Sequence, residues 1–177
     1  MPILSTGSTP LVVADDLAEF PGAPFSDTVA TSAGESIRSE VGWHIAPELT
    51  ETLTVDSDGG RYLFLPTLRL VDVTEVRDVT SDTPRVLDGW RQSEKGILYR
   101  VGGWPVGMSA LKVDLTHGYP TCPPALLPAV AAYAQAIKRG GRVTQESLGS
   151  RSVSFATSGD GSSLLSVVAR YALRGEP

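Results

Sequence analysis

A chain of 177 residues in which 41% are hydrophobic is long enough to form one packed domain, or a domain with an elaborated insert. Its formal net charge of -5 provides no overall basic field that would draw it to nucleic acid or to anionic lipid. One cysteine excludes an intrachain disulfide, and no apolar run approaches the roughly 20 residues needed to span a bilayer. We therefore expect a soluble protein, made in a cytoplasm and without a signal peptide.

The first part of the chain is predicted to be helical over residues 15–42, after a polar start at residues 1–9 that we expect to be mobile. A short helix is predicted over Asp15–Phe20, with acidic side chains at the positive end of its dipole. Ser26 is a suitable N-cap for a second helix, which runs to Gly42. The narrow apolar stripe of this second helix consists of Val29, Ala30, Ala33, Ile37 and Val41.

A two-residue period replaces the helical one over residues 49–117 and predicts antiparallel strands. The strands Thr50–Val55 and Arg61–Leu65 are predicted to pair as a hairpin around the turn Asp56–Gly60. Leu68–Val79 is predicted to be a longer strand with a bulge, because its apolar residues do not hold one phase. Four further strands and one glycine-rich loop complete this region: strands Arg85–Leu87, Trp90–Gln92, Ile97–Arg100 and Leu111–His117, and the loop Val101–Ser109.

The last third of the chain returns to a helical period. A helix is predicted over residues 124–139, with Pro128 in or just after its first turn because a proline deeper inside would cost about 3 kcal/mol. A polar loop, Arg142–Ser150, precedes a short predicted strand over residues 151–156. A final amphipathic helix is predicted over residues 162–174. The core face of the first of these helices consists of Leu126, Leu127, Val130, Tyr133, Ala134 and Ile137.

Together these elements predict an α+β fold over residues 1–177 as a single domain. The helices at both ends of the chain are expected to pack together. The antiparallel β region is inserted between the second helix and the helix that starts near Pro124.

Residues that carry chemistry are sparse. His44, His117 and Cys122 are the available soft metal ligands, and none has the close paired spacing of a zinc site. The sequence contains no Gly-x-Ser-x-Gly motif and no glycine pattern of a dinucleotide or phosphate loop. We therefore expect no catalytic, cofactor-binding or metal site. Core packing is the first interpretation of the three tryptophans, Trp43, Trp90 and Trp104, and an interface is the second.

Five short segments, taken in their order along the chain, resemble one protein family. Their order is similar to that in the head-to-tail connector, or adaptor, proteins of long-tailed bacteriophages, especially those that infect actinobacteria. The resemblance covers roughly Val13 to Leu173. The segments are GWHIAP at 42–47 leading into 50–54, LPTLR at 65–69, THGY at 116–119 before Pro123-Pro124, ESLGS at 146–150 before Val153-Ser154-Phe155, and ARY at 169–171.

The resemblance implies a structural virion protein that is not an enzyme and binds no cofactor. Proteins of this family form a ring, dodecameric in the family, below the portal protein and above the next neck, stopper or tail protein. Genomic DNA passes through the lumen without sequence-specific binding, and no membrane is involved. An acidic chain fits such a channel, because an acidic wall repels the duplex whereas a basic wall would hold it. The implied location is the virion neck, after synthesis in the cytoplasm of the host bacterium.

The resemblance also indicates which residues make contacts. We expect the β region and the loop Arg142–Ser150 to contact neighbouring copies or neck proteins, and the last helix with its tail to dock on the portal. Pro128 and the weakly helical Val29–Gly34 depart from the family pattern and affect the predicted helix boundaries. The interface candidates are Trp43, His44, Trp104, Arg142, Glu146, Arg151, Leu164, Leu165, Val168, Arg170, Tyr171 and Arg174.

Two alternatives remain open on the sequence. Another neck protein, such as a stopper or a tail terminator, is the closer one, and gene order beside a portal, capsid or tail-tube gene would separate it from an adaptor. The second is a small soluble ligand-binding or enzymatic α+β domain with a pocket around Trp43, His44 and His117. It predicts a stable monomer whose affinity for a small molecule is lost in His117→Ala.

Overall fold

The computed structural model describes residues 9–139 and 161–173. These residues form two compact units. The β unit is Trp43–Thr121, with Thr9, and it holds every strand of the described chain. The helical unit consists of Pro10–Gly42 and of the described residues from Cys122 onward. The structure is thus mixed α+β with antiparallel sheets, in agreement with the predicted class. Among the described helices, none is long and apolar enough to cross a membrane.

Helix α1 of the helical unit spans Asp27–Val41 between the two ends that the sequence predicted. The Ser26 side chain caps it by accepting a hydrogen bond from the Val29 N–H at 3.3 Å, and Gly42 ends it in the left-handed conformation at φ 80°. The preceding short helix is a single 3₁₀ turn, Ala14–Leu17, so the prediction of a helix to Phe20 was too long. Its backbone hydrogen bonds join residues three apart, a geometry that seldom extends beyond one turn.

Two further helices pack against α1 within the helical unit. Helix α2 spans Leu127–Lys138 and follows a 3₁₀ turn at Pro124–Leu126. Pro128 lies in its first turn, as predicted, where a missing N–H breaks no helical hydrogen bond. Helix α3 spans Gly161–Tyr171 and begins one residue before the predicted start. The predicted loop Arg142–Ser150, the predicted strand at 151–156 and residues 1–8 lie outside the described residues.

The β unit contains two antiparallel sheets. A large sheet has the strand order β1-β7-β3-β4, and a small sheet has the order β2-β6-β5. The ladder between β3 and β7 shifts register twice, which confirms the predicted bulge in β3. In chain order the strands are β1 (Leu49–Ser57), β2 (Tyr62–Phe64), β3 (Leu70–Asp78), β4 (Arg85–Val86), β5 (Trp90–Ser93), β6 (Ile97–Arg100) and β7 (Gly107–His117).

One hydrophobic core serves both sheets. Leu63 of β2 and Leu98 of β6 belong to the same buried cluster as Val113 and Leu115 of β7. Each sheet therefore buries one face and leaves the other face outside this core. The buried cluster consists of Leu63, Leu65, Leu70, Val73, Val76, Leu87, Leu98, Trp104, Ala110, Leu111, Val113 and Leu115.

The predicted hairpin of β1 and β2 was wrong. β1 pairs with β7, from Leu49 opposite His117 to Ser57 opposite Gly107, and β2 pairs with β6. The turn after β1 also contacts the segment before β7: the Trp104 N–H donates a hydrogen bond to the Gly60 carbonyl at 3.1 Å. A distant strand with matching inward apolar residues thus replaces the nearest one in sequence. The predicted loop Val101–Ser109 was also too long, since β7 already begins at Gly107.

Candidate interaction surfaces

Large apolar side chains that are exposed to solvent are concentrated in the β unit. Of those found among the described residues, Val13 alone lies in the helical unit. Isolated exposed apolar side chains are ordinary, whereas a contiguous patch marks a contact site. The β unit is therefore the first place to look for an interface. Its exposed residues of this class are Tyr62, Phe64, Val71, Val86, Val101, Val106 and Met108.

The outer face of the small sheet carries a contiguous apolar patch, which we name the aromatic face: Tyr62, Phe64, Ile97 and Tyr99. Tyr62 lies opposite Tyr99, and Phe64 lies opposite Ile97, in the ladder between β2 and β6. Leu63 points into the core with 4% exposure, so the residues on either side of it point outward. Tyr62 is 59% exposed and Phe64 is 56% exposed. The ring centroids of Tyr62 and Tyr99 are 5.2 Å apart.

A tight turn fixes the position of this face. The turn joins β5 to β6, and its Gly96 adopts φ 74°. A Cβ at this position would clash with the Thr67 carbonyl oxygen, so only glycine fits. The Gly96 carbonyl accepts a hydrogen bond from the Leu65 N–H at 2.8 Å, and the Glu94 carbonyl accepts one from the Leu70 N–H at 2.7 Å. These bonds attach the turn to the chain leading into β3. The aromatic face is therefore preformed on rigid strands.

The small sheet is locally basic although the chain as a whole is acidic. Residues 61–64 and 90–101 contain four cations and one carboxylate. The carboxylate, Glu94, is paired with Arg69 at 2.9 Å. Arg91 is exposed and lies opposite Tyr99 in the ladder between β5 and β6, at the margin of the aromatic face. The four cations are Arg61, Arg91, Lys95 and Arg100.

The segment Pro10–Gly42 of the helical unit has the opposite charge. Its one cation, Arg38, is 5% exposed and is paired with Glu35 at 2.6 Å. All its carboxylates lie on exposed residues. The surface of this segment is therefore strongly negative. The carboxylates belong to Asp15, Asp16, Glu19, Asp27, Glu35 and Glu40.

The outer face of the large sheet, which we name the polar face, is formed by Thr50, Thr52, Arg77, Asp114 and Thr116. The hydroxyls of Thr50 and Thr116 are 2.7 Å apart. The Asp114 carboxylate accepts a hydrogen bond from the Thr52 hydroxyl at 2.5 Å and another from the Arg77 guanidinium at 2.5 Å. These polar side chains therefore bind one another across three strands.

The two histidines lie together inside the β unit. Their ring centroids are 5.8 Å apart, and His117 is 2% exposed while His44 is 7% exposed. The His117 Nε2 is 2.9 Å from the Glu51 carboxylate, and the His44 Nε2 is 2.5 Å from the Pro47 carbonyl oxygen. Trp43, the third residue of the pocket suggested by the sequence, is 2% exposed. These rings are packed side chains, and no group of three metal-binding side chains occurs in the described ranges.

The single cysteine, Cys122, is half-buried. Burial raises the pKa of the Cys122 thiol to about 12, and the Asp16 carboxylate adds to the rise while Arg38 opposes it. The thiol donates weakly to the Pro123 carbonyl at 3.8 Å. The raised pKa favours the protonated thiol, which is the less reactive form.

The interface candidates from the sequence fall into three groups. Trp43, His44, Trp104 and Val168 are buried within the single subunit, and their contacts with partners stay predictions. In α3, Leu164 and Tyr171 are half-buried, Arg170 is exposed, and Leu165 lies on the same helix. Arg142, Glu146, Arg151 and Arg174 lie outside the described residues. Their roles in contacts stay predictions.

The aromatic face was missed by the sequence reasoning, although the sequence contains a signal for it. A strand with one buried face alternates apolar and polar residues, but Tyr62-Leu63-Phe64 and Ile97-Leu98-Tyr99 are apolar at every position. The two segments pair with each other. Apolar residues in both phases of two short paired strands indicate a second apolar face.

Several solved structures superpose on nearly the whole chain. A chain in the neck of the native gene transfer agent (GTA) particle, computed with C12 symmetry, superposes with a TM-score of 0.62 at 19% identity, over 98% of this chain and 95% of that chain. This protein shares its fold with that neck chain. A chain of the native GTA virion superposes with a TM-score of 0.59 at 20% identity, over 98% of this chain and 95% of that chain. A chain in the neck of the empty GTA particle, computed with C6 symmetry, superposes with a TM-score of 0.56 at 17% identity, over 94% of this chain and 95% of that chain.

The likeness lies in the fold rather than in the sequence. No protein-family model and no curated protein matches this chain. The match to the neck chains extends over both the β unit and the helical unit, since it covers 94% or more of the chain. The whole architecture, including the inserted β region, is therefore shared with them.

Proposed function

We propose that this protein is a head-to-tail adaptor, a structural virion protein that forms a ring under the portal. The ring joins the DNA-filled capsid to the neck and tail and lets the DNA pass through its lumen. The observation that carries the proposal is a fold shared over 98% of the chain with a neck structure of C12 symmetry. The order of sequence segments that resembles phage adaptors supports the same function. Residues 1–177 act in it as one connector domain.

Self-assembly into a ring requires heterologous contacts, in which one surface of a subunit meets a different surface of the next. The concentration of exposed apolar side chains in the β unit supports a contact there. The loop Arg142–Ser150 contributes to contacts with neighbouring copies or with the downstream neck or tail protein. Helix α3, with the exposed Arg170, docks with the following tail on the portal.

The charge of the chain supports a channel that does not retain DNA. A net charge of -5 provides no overall basic field that would hold a duplex. The buried histidine pair and the protonated Cys122 support a structural rather than an enzymatic role. No cofactor is required for this function.

The experiment is to mix the purified protein with its cognate portal and to image the mixture, and the protein alone, by electron microscopy. We expect a ring added at the narrow end of the portal. A protein that ignores the portal but binds a tail protein would instead be a stopper or a tail terminator. A monomer that binds neither would contradict a role in the neck.

Docking of the C-terminal helix on the portal has its own test. A variant lacking Ser162–Pro177 is expected to form rings with itself while losing its affinity for the portal. Its matched control is the full chain with Val86→Thr, which changes an exposed apolar residue of β4, outside the helical unit. Unchanged portal binding by the truncated variant would contradict this docking mode.

A further inference from the structure

We propose that the aromatic face of each subunit is covered by the next copy of this chain. The inference rests on the proposed ring and identifies one of its contact surfaces. The sequence candidates did not include the four residues of this face, Tyr62, Phe64, Ile97 and Tyr99.

The aromatic face has the properties of an interface core. Tyr62 and Phe64 are more than half exposed, yet they lie on strands whose opposite side is the core of the β unit. Tyrosine and arginine are the residues that most often dominate binding energy, and Arg91 borders the tyrosine pair. The exposed Val101 follows Tyr99 by two residues and extends the apolar surface. Since the strands are preformed, little ordering is needed on binding.

Charge complementarity identifies the occupant as a second copy. The small sheet carries four cations against one carboxylate, whereas the chain as a whole has a net charge of -5. The segment Pro10–Gly42 is a described surface of opposite charge, because its six carboxylates lie on exposed residues and its one cation is buried. A contact between the basic small sheet of one copy and this acidic segment of the next joins two different surfaces, as a ring requires.

DNA is the competing occupant, because aromatic and basic side chains together also bind single-stranded bases by stacking. Two observations disfavour it. The Tyr62 and Tyr99 rings face each other at 5.2 Å with an interplanar angle of 48°, so they pack on each other and do not form a flat platform. The packaged DNA of the proposed function is a duplex, whose base faces are hidden in the stack.

The first test places a photo-cross-linking phenylalanine analogue at position 64 of the full-length protein, which keeps an aromatic side chain there. Irradiation of assembled rings is expected to give covalent dimers, with the cross-link mapped by mass spectrometry to residues 10–42 of the neighbouring copy. A cross-link to the portal, to another neck protein or to DNA would overturn the inference. So would assembled rings that give no cross-linked dimer.

The second test makes the aromatic face resemble the polar face. The double variant Tyr62→Thr/Phe64→Thr keeps the β preference of both positions and removes their apolar surface. We expect its assembly into rings to be weakened at least tenfold, measured by sedimentation and electron microscopy, with an unchanged circular dichroism spectrum. Val86→Thr is the matched control, since Val86 is 50% exposed on the large sheet, and it is expected to assemble as the parent chain does.

The two tests separate the inference from the proposed function. If the parent chain forms no ring with the portal, the proposed function fails. If the parent chain and the double variant form rings equally well, the proposed function holds and the inference is overturned. If the double variant loses its fold, the cross-link from position 64 still decides, because that substitution retains an aromatic ring.

Discussion

The outer faces of the two sheets of the β unit have opposite chemistry although both sheets cover the same core. On the polar face, Asp114 binds Thr52 and Arg77 across three strands, so the side chains satisfy one another within the chain. On the aromatic face, Tyr62 and Phe64 are more than half exposed and have polar neighbours only at the margin. The side chains of the polar face are bound mainly to one another within a single subunit, whereas the aromatic face gains stability when it is covered.

An apolar sheet face that is exposed in the subunit indicates a contact in the assembly, whereas a buried face stabilises the folded subunit. Substitutions in the shared core should lower the free energy of unfolding of the subunit. They should weaken ring assembly only because fewer subunits are folded. Changes on the polar face should have modest effects on stability, and changes of the exposed Tyr62 and Phe64 on the aromatic face should leave stability almost intact. All three tryptophans lie in the β unit, so their fluorescence measures the unfolding of this unit in each case.

The largest expected effect is on the shared core. Leu98 is 0% exposed and belongs to the cluster formed by both sheets. Leu98→Ala is expected to lower the free energy of unfolding by about 2–5 kcal/mol, because a cavity replaces the buried side chain. The measurement is urea denaturation followed by tryptophan fluorescence.

The control for this core prediction lies one residue away on the same strand. Ile97 belongs to the aromatic face and is half-buried in the subunit. Ile97→Ala is expected to cost about 1 kcal/mol, since less apolar surface is returned to water. Equal losses in the two variants would show that the two faces of β6 are not energetically distinct.

The next effect concerns the ion pair of the polar face. The Asp114 side chain is 27% exposed and that of Arg77 is 33% exposed, so water screens their attraction in part. A double-mutant cycle with Asp114→Asn and Arg77→Gln is expected to give a coupling energy of about 0.5–1 kcal/mol. Thr54→Val, on the same strand as Thr52, provides a control substitution outside this pair. A coupling energy of zero would mean that the polar face is not held together by its own side chains.

A smaller effect on stability is expected on the aromatic face. Tyr62→Thr and Phe64→Thr replace side chains that are 59% and 56% exposed in the subunit. Each single variant is expected to change the free energy of unfolding of the unassembled protein by about 0.5 kcal/mol or less. A loss as large as that in Leu98→Ala would mean that these rings stabilise the subunit itself, and would remove the contrast between the faces.

Local signals in the sequence predicted the helices and several strands. Ser26 and Gly42 end α1 as predicted because caps depend on neighbouring residues alone. Pro128 was placed in the first turn of α2 for the same kind of reason, since its ring excludes interior positions. The bulge in β3 followed from a broken alternation of apolar residues.

Strand pairing and the aromatic face could not be derived in the same way. β1 and β2 are neighbours in sequence with a turn between them, yet β1 pairs with β7, about fifty residues later. That choice depends on which inward apolar residues match, a property of the whole core. Once the pairing was wrong, the outward direction of Tyr62 and Phe64 could not be assigned, because it depends on the partner strand.

The smallest effect is a change in how the stability of the protein depends on pH, through Asp78 at the end of β3 in the large sheet. The pKa of the Asp78 carboxyl is lowered from 3.8, chiefly because it accepts a hydrogen bond from the Thr80 hydroxyl, at 2.6 Å, and then from the Thr80 N–H and Arg85. A lowered pKa in the folded state contributes stability that is present above pH 3.8 and is lost as the pH falls through the folded-state pKa.

Thr80→Val removes the hydrogen bond from the Thr80 hydroxyl and keeps the one from the Thr80 N–H, so the pKa of Asp78 is expected to rise part of the way to 3.8 in an NMR titration. Ser81→Ala, which removes only a hydrogen bond to the Thr83 carbonyl, should leave the pKa of Asp78 unchanged. If Asp78 titrated at or above 3.8 in the parent chain, the polar side chains of the large sheet would not be satisfied within the subunit, and the contrast with the aromatic face would weaken.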